Sequence, residues 1–238
     1  FLAASRLIDG PPLLYARDGA NGRPGWGITR HALLREAFID WEHFSSEGGM
    51  DLTMLLGVDW NLNPVNIDPP KHTQYRKVLH PFFTPKAVSH MEDGVRQTVE
   101  SLVAPFENAG GCDFVKDFAI PFPSLIFLQL MGMPADMMRQ FFEWEQELLP
   151  STTNEAGVKA GRENLDYLKL HLARQREKQT TPLMESILNA GIDGKKLTDG
   201  EILGMFYTFY VGGLDTVYAT ISWSMRHIAT HPELQQFL

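Results

Sequence analysis

Apolar residues recur through most of this chain at the three- and four-residue spacing of an amphipathic helix, and strand-like alternation is confined to its beginning. Residues 12–17 and 25–29 flank a Gly/Asn/Pro turn and read as a hairpin. Residues 31–39 follow as a short amphipathic helix. Further helices are expected at 69–80, 85–109, 121–131, 134–149, 155–178 and 182–190. Gly132 stands past the end of one and Pro134 at the start of the next, the usual asymmetry of helix ends. The stretch 47–66 has no clean period, yet Met50, Leu52, Met54, Leu55, Leu56, Val58, Trp60 and Leu62 are all apolar. Connections ordinarily run through water, so this segment either lines a cavity or hides a short helix. The pattern predicts a mainly α fold with a small N-terminal β-sheet and no internal repeat.

The last long helix is the best delimited. Thr198-Asp199-Gly200-Glu201 has the form of a capping box, and His231-Pro232 marks the stop near Ala229. Between Ile202 and Met225 the only formal charge is Asp215, and a membrane span needs about 20 apolar residues. Gly204, Thr208, Thr216, Thr220, Ser222 and Ser224 interrupt the run, and no basic cluster flanks it. It reads as the buried central helix of a globular fold, not as a membrane anchor.

Inside it lies Val211-Gly212-Gly213-Leu214-Asp215-Thr216. Glycine costs about 1 kcal/mol against alanine in a helix interior, so two together serve something other than helix stability. Without a Cβ, the backbone at Gly212 and Gly213 is open to a flat ligand. Asp215 and Thr216, three and four residues beyond Gly212, lie over the same face. Two readings stay open: a cofactor wall that handles protons, or a helix-packing notch with a polar kink.

A second feature is Asp68-Pro69-Pro70-Lys71-His72-Thr73-Gln74-Tyr75-Arg76. Asp68 is a good N-cap and Pro69 a good first helical residue. His72 and Arg76 are then one turn apart, where an imidazole and a guanidinium can bind one anion. From Lys71 to Met91 there is no acid, while Lys71, Arg76, Lys77 and Lys86 are positive. The alternative is a solvated basic face. The carboxylates of Glu143-Trp144-Glu145-Gln146-Glu147 read as a solvated helix face. His227 and His231, i and i+4, have a spacing that can bind a metal on a helix, but Pro232 follows and no Glu lies between them.

Composition narrows the classes. The 238 residues carry a net charge of −8, which argues against a general nucleic-acid binder. The single cysteine, Cys112, excludes an internal disulfide and reads as an incidental free thiol. The start has neither a signal-peptide pattern nor an anchor.

Asp-Pro-Pro-x-His-x-x-x-Arg some 140 residues before Gly-Gly-x-Asp-Thr, in a helical chain, resembles the cytochrome P-450 family of haem-thiolate monooxygenases. Further matches are Phe44-Ser45-Ser46, Phe83-Thr84-Pro85, Gly132-Met133-Pro134-Ala135-Asp136 and His231-Pro232-Glu233. Val211 to Val217, and Gly111-Cys112-Asp113-Phe114 through Pro121-Phe122-Pro123, are similar to the soluble bacterial camphor-hydroxylase branch. The resemblance implies haem b (iron protoporphyrin IX) as cofactor, with His72 and Arg76 on its propionates and Gly212 and Gly213 along its distal face. It implies that Asp215 and Thr216 are the acid–alcohol pair that delivers protons to dioxygen. It implies a small apolar, terpenoid-like substrate facing Trp60, Thr208 and Val211. Electrons are expected from NAD(P)H through a reductase and a [2Fe–2S] ferredoxin that lands near Lys71, Lys77 and Lys86, in the cytoplasm.

The family's Glu-x-x-Arg helix and its cysteine haem-ligand loop have no match before Leu238, and Cys112 lies in a different motif. Residues 1–238 are therefore expected to be a single partial domain of the fold, incomplete at both ends. No metal ligand is assigned, and the isolated chain is expected to be inactive and poorly soluble. The competing expectation is a non-catalytic all-α protein, derived from a shortened monooxygenase, that binds a hydrophobic ligand or a partner.

Overall fold

The computed structural model describes residues 7, 9–19, 23–48, 56–107, 109–148 and 155–237. They fall into two compact units, Phe1–Gly49 and Met50–Leu238.

In the first unit, β1 (Leu13–Ala16) pairs antiparallel with β2 (Gly25–Ile28), as the alternation predicts. Tyr15 stands opposite Trp26 and the two rings lie 5.1 Å apart. Below the strands Thr29 Oγ1 donates to the Pro11 carbonyl at 2.8 Å, and the Arg30 guanidinium donates to the Gly10 carbonyl. Helix α1 (His31–Ile39) follows with the expected bounds.

The second unit is helical. Its elements are α2 (Lys71–Leu79), extended by a 3-10 turn His80–Phe82, then α3 (Pro85–Ser89) and α4 (Glu92–Glu107). A π-turn Val115–Ala119 leads into α5 (Pro121–Met131), and a 3-10 turn Ala135–Met137 leads into α6 (Met138–Leu148). Next come α7 (Glu155–Glu177), α8 (Pro182–Asn189) and a small hairpin, β3 (Gly191–Ile192) with β4 (Lys195–Lys196). Helices α9 (Asp199–Gly213), α10 (Asp215–Thr230) and α11 (Pro232–Gln235) complete it.

Helix α9 is the spine. Ile202, Leu203, Met205, Phe206, Tyr207 and Tyr210 are all buried, and a helix apolar on every side belongs in a core. Against it α5, α6 and α7 assemble an aromatic cluster centred on Phe141, which is fully buried. Its ring lies 5.4–5.5 Å from those of Phe127, Trp144, Tyr167 and Tyr210. Burying one such side chain is worth about 1.5–3 kcal/mol, and good ring pairs add about 0.5–1.5. The buried tyrosines keep their hydroxyls bonded, Tyr207 to the Gly161 carbonyl and Tyr210 to the Phe141 carbonyl, each at 3.3 Å.

Four departures from the sequence pattern have local causes. The helix expected from Pro69 starts at Lys71, with Pro70 in the N-cap position, because a residue that precedes proline avoids the α region and Pro69 precedes Pro70. The helix expected over 85–109 is two, α3 and α4. The one expected over 198–229 is interrupted at Leu214 (φ −100°, ψ −70°). The hairpin at 191–196 was carried by Asp193-Gly194, whose φ values of 51° and 75° suit a tight turn between twisted strands. Gly132, at φ 67°, closes α5 in the left-handed region as its position predicts.

Of the apolar stretch 47–66, Leu56 and Leu62 are buried in the core and Trp60 is half-buried. Met50, Leu52, Met54 and Leu55 lie outside the described residues. No helix among those described is long and apolar enough to cross a membrane.

Candidate functional site: the break in the central helix

The start of α9 is tied down by reciprocal bonds. Thr198 Oγ1 accepts from the Glu201 N–H at 3.2 Å, and Glu201 Oε2 accepts from the Thr198 N–H at 2.8 Å. Glu201 Oε1 also accepts from the Tyr75 hydroxyl at 2.5 Å, with Lys71 Nζ at 4.0 Å. Burial alone raises the Glu201 carboxyl, but the bonds from Tyr75 and Thr198 and the nearby Lys71 hold it below its ordinary value. Farther along, the ring of Phe83 lies 5.9 Å from that of Phe209. The segment from Lys71 to Phe83 thus runs beside α9, from Glu201 toward Phe209.

The glycines of α9 differ in what surrounds them. A Cβ on Gly204 falls 2.1 Å from the Asn61 carbonyl oxygen, and Asn63 Nδ2 donates to the Glu201 carbonyl at 3.1 Å. Gly204 is a packing notch. A Cβ on Gly212 meets nothing within 4 Å, and one on Gly213 meets only Phe127 Cδ2 at 3.9 Å. Both glycines border a cavity of about 350 Å³ whose walls include Phe83, Phe122, Phe127, Thr208, Phe209 and Val217. Apart from Thr208, these six are apolar.

At the interruption the backbone bonds go elsewhere. The Asp215 N–H donates to Glu145 Oε1 at 2.9 Å, and Thr216 Oγ1 donates to the Gly212 carbonyl at 2.8 Å. Gln146 Nε2 donates to the Tyr218 hydroxyl at 3.3 Å, and the same hydroxyl is bonded to Asp215. Burial, followed by the negative charge of Asp215, pushes the Glu145 carboxyl up to about 8, although the Asp215 N–H opposes the shift.

The structure therefore brings Thr208, Gly212 and Gly213 onto one cavity wall, with Asp215 and Thr216 at the break that follows. His72 and Arg76 sit one turn apart on α2, half-buried and exposed. Neither side chain has a hydrogen bond or ion pair with another described residue. Trp60 packs on the start of α9 instead: Gly200 accommodates its indole, which lies 6.3 Å from the Tyr207 ring. Val211 packs against the core, and neither Trp60 nor Val211 borders the cavity. Cys112 is exposed. His231 Nδ1 bonds to the His227 carbonyl at 2.8 Å, and the described residues contain no cluster of three His, Cys, Asp or Glu fit for a metal.

Glu145 corrects the sequence reading. Glu143 and Glu147 are exposed as expected, but Glu145 is 2% exposed. The signal was present: Phe141, Trp144 and Leu148 mark the buried face of α6, and Glu145 stands one turn beyond Phe141 on that face.

Residues 133–238 match the family description Cytochrome P450. A probable cytochrome P450 127A1 of Sinorhizobium fredii is 31% identical over 232 residues, covering 97% of this chain and 56% of the relative. The vitamin D(3) 25-hydroxylase of Pseudonocardia autotrophica is 27% identical, covering 99% of the chain and 59% of the relative. Mycobacterium marinum cytochrome P450 CYP268A2, solved with pseudoionone, superposes with a TM-score of 0.85 at 24% identity, over all of this chain and 62% of that one. The chain spans a little over half the length of these relatives. With the open helix groove and the helical architecture around it, these matches place the chain in the cytochrome P450 family.

Proposed function

We propose that the protein acts as a haem-dependent monooxygenase that inserts one atom of dioxygen into a small apolar substrate. The observation that carries the reading is the bare face of Gly212. No protein atom needs the missing Cβ there, in contrast to Gly204, and the space beyond is an apolar cavity. A flat, largely apolar group with two carboxylates fits these residues. Gly212 and Gly213 would lie along one face of haem b, with Phe83 and Phe127 beside it. His72 and Arg76, whose side chains have no hydrogen bond or ion pair with another described residue, would hold its propionates. When bound, haem supplies the activation of dioxygen, driven by electron donation from a thiolate ligand. That ligand is not assigned to Cys112.

The chain's own residues supply proton handling and an apolar wall. Asp215 is the acid of this reading, oriented by the Tyr218 hydroxyl, which Gln146 on α6 holds in place. Thr216 donates its own hydroxyl hydrogen to the Gly212 carbonyl, so its oxygen is left to accept a hydrogen bond from a protonated partner in the cavity, to which Asp215 would supply protons. Phe122, Phe127 and Phe209 make the cavity beside the glycines apolar, and Thr208 is the substrate-facing residue of this reading. Lys77 and Lys86, with Lys71, form the landing surface for an acidic [2Fe–2S] ferredoxin fed by an NAD(P)H-dependent reductase. A cytoplasmic location completes the proposal.

The test is the carbon monoxide difference spectrum of the reduced protein in its native length. A band at the wavelength that names the family, followed by NAD(P)H-dependent oxidation of an apolar substrate, is the expected result. Failure to bind haem, or a spectrum of histidine-ligated haem, sinks the reading in favour of a non-catalytic binder of a hydrophobic ligand.

A further inference from the structure

Glu145 is an acid in a place that neither packing nor the acid–alcohol pair requires. It comes from α6, 70 residues before the break, and its carboxyl reaches the one backbone N–H that begins the helix after Leu214. We propose that Glu145 positions Asp215: its buried carboxyl anchors the Asp215 amide at the break and so fixes the direction in which the Asp215 side chain leaves the backbone. The inference rests on the monooxygenase reading for what Asp215 does, and on geometry alone for what holds it.

Three observations support it. The bond has the ordinary length of 2.9 Å, and its acceptor Glu145 is 2% exposed, which shields it from solvent. The groups around the carboxyl make it a neutral acceptor. Burial, followed by the negative charge of Asp215 on α10, raises its proton affinity, and the charge of Glu145 in turn adds to the burial that raises Tyr210 on α9 and Tyr218 on α10. On α7, Tyr167 and Glu163 contact the neighbouring Trp144, Glu163 accepting from its indole N–H. The cations of the neighbouring turns, Arg139 and Lys159, pair with Glu143 and Glu163. No cation lies within ion-pair distance of Glu145 among the described residues. Finally, Gln146, the next residue, bonds to Tyr218, so α6 grips the first turn of α10 at two successive positions.

The test follows the Asp215 amide by NMR in the 238-residue chain across pH 6 to 9, without haem. In the parent chain its proton and nitrogen shifts are expected to titrate with a midpoint of about 8, the value for Glu145. Glu145→Gln keeps an acceptor oxygen and loses the titration, so the amide holds its low-pH shift and slow exchange throughout. Glu145→Leu removes the acceptor, and exchange of that amide rises at least tenfold. An amide equally protected in Glu145→Leu, or one that still titrates in Glu145→Gln, overturns the proposal. Should Glu145→Leu fail to fold, the titration in the parent chain against Glu145→Gln decides alone. An amide that behaves as expected in a protein that binds no haem leaves the positioning intact and sinks only the monooxygenase reading.

Discussion

Gly204 and Gly212 are eight residues apart on one helix and answer opposite demands. Replacing Gly204 by alanine drives a methyl into a backbone carbonyl, and overpacking of that kind costs about 1–3 kcal/mol. Replacing Gly212 by alanine meets no protein atom, and helix propensity returns up to about 1 kcal/mol. Thermal unfolding is expected to show Gly204→Ala lowered by several degrees and Gly212→Ala unchanged or raised. Haem uptake by the native-length protein moves the other way: a larger side chain, Gly212→Leu, abolishes it while stability holds. Glu145 adds a pH dependence. Its native value is raised to about 8 against an unfolded value near 4.3, so the native state binds the extra proton. Its contribution is complete below the unfolded value and is lost as pH rises through 8. Melting of the parent chain at pH 9 is expected a few degrees below that at pH 6, a difference that Glu145→Gln removes.

At the scale of elements, what was legible was what a helix announces at its ends. The Thr198 box, the Gly132 stop and the alternation of the first hairpin all form as written, because each is a local bond between neighbours. Thr198→Ala is expected to cost about 1 kcal/mol, or roughly 2–4 °C at this chain length, and it also loosens Tyr75, which shares Glu201. What was not legible depends on partners far along the chain. The interruption at Leu214 is held from α6, and no window around residue 214 contains that information. The same distance hides the burial of Glu145: a run of three acids in five residues looks solvated until Phe141 fixes which face turns inward. The anion pair was read from spacing, and its spacing holds. Arg76→Ala is expected to weaken haem binding about tenfold in a spectrophotometric titration, with the melting temperature unmoved because the guanidinium has no partner to lose among the described residues.

For the molecule as a whole, the acidic balance concentrates attention on the few cations that stand apart from acids. Lys77 and Lys86 lie on the stretch that runs beside α9, where no carboxylate occurs between Lys71 and Met91. If an acidic electron donor docks there, its association rate falls steeply with salt, since exposed charges are screened beyond about 8–10 Å at physiological ionic strength. Reversing both to glutamate is expected to slow electron delivery at low salt by tenfold or more and to leave the carbon monoxide spectrum as it was. The interruption at Leu214 has a last consequence at this scale. An unbroken helix from Asp199 to Thr230 carries a single macrodipole with its ends far from the cavity. Broken, it becomes two, and a carbonyl end and an amide end meet in mid-molecule. Asp215 stands at the amide end of α10, while the carbonyl end of α9 opens beside the cavity with the Gly212 carbonyl engaged by Thr216. The break at Leu214 thus sets two opposed helix ends side by side at the cavity wall.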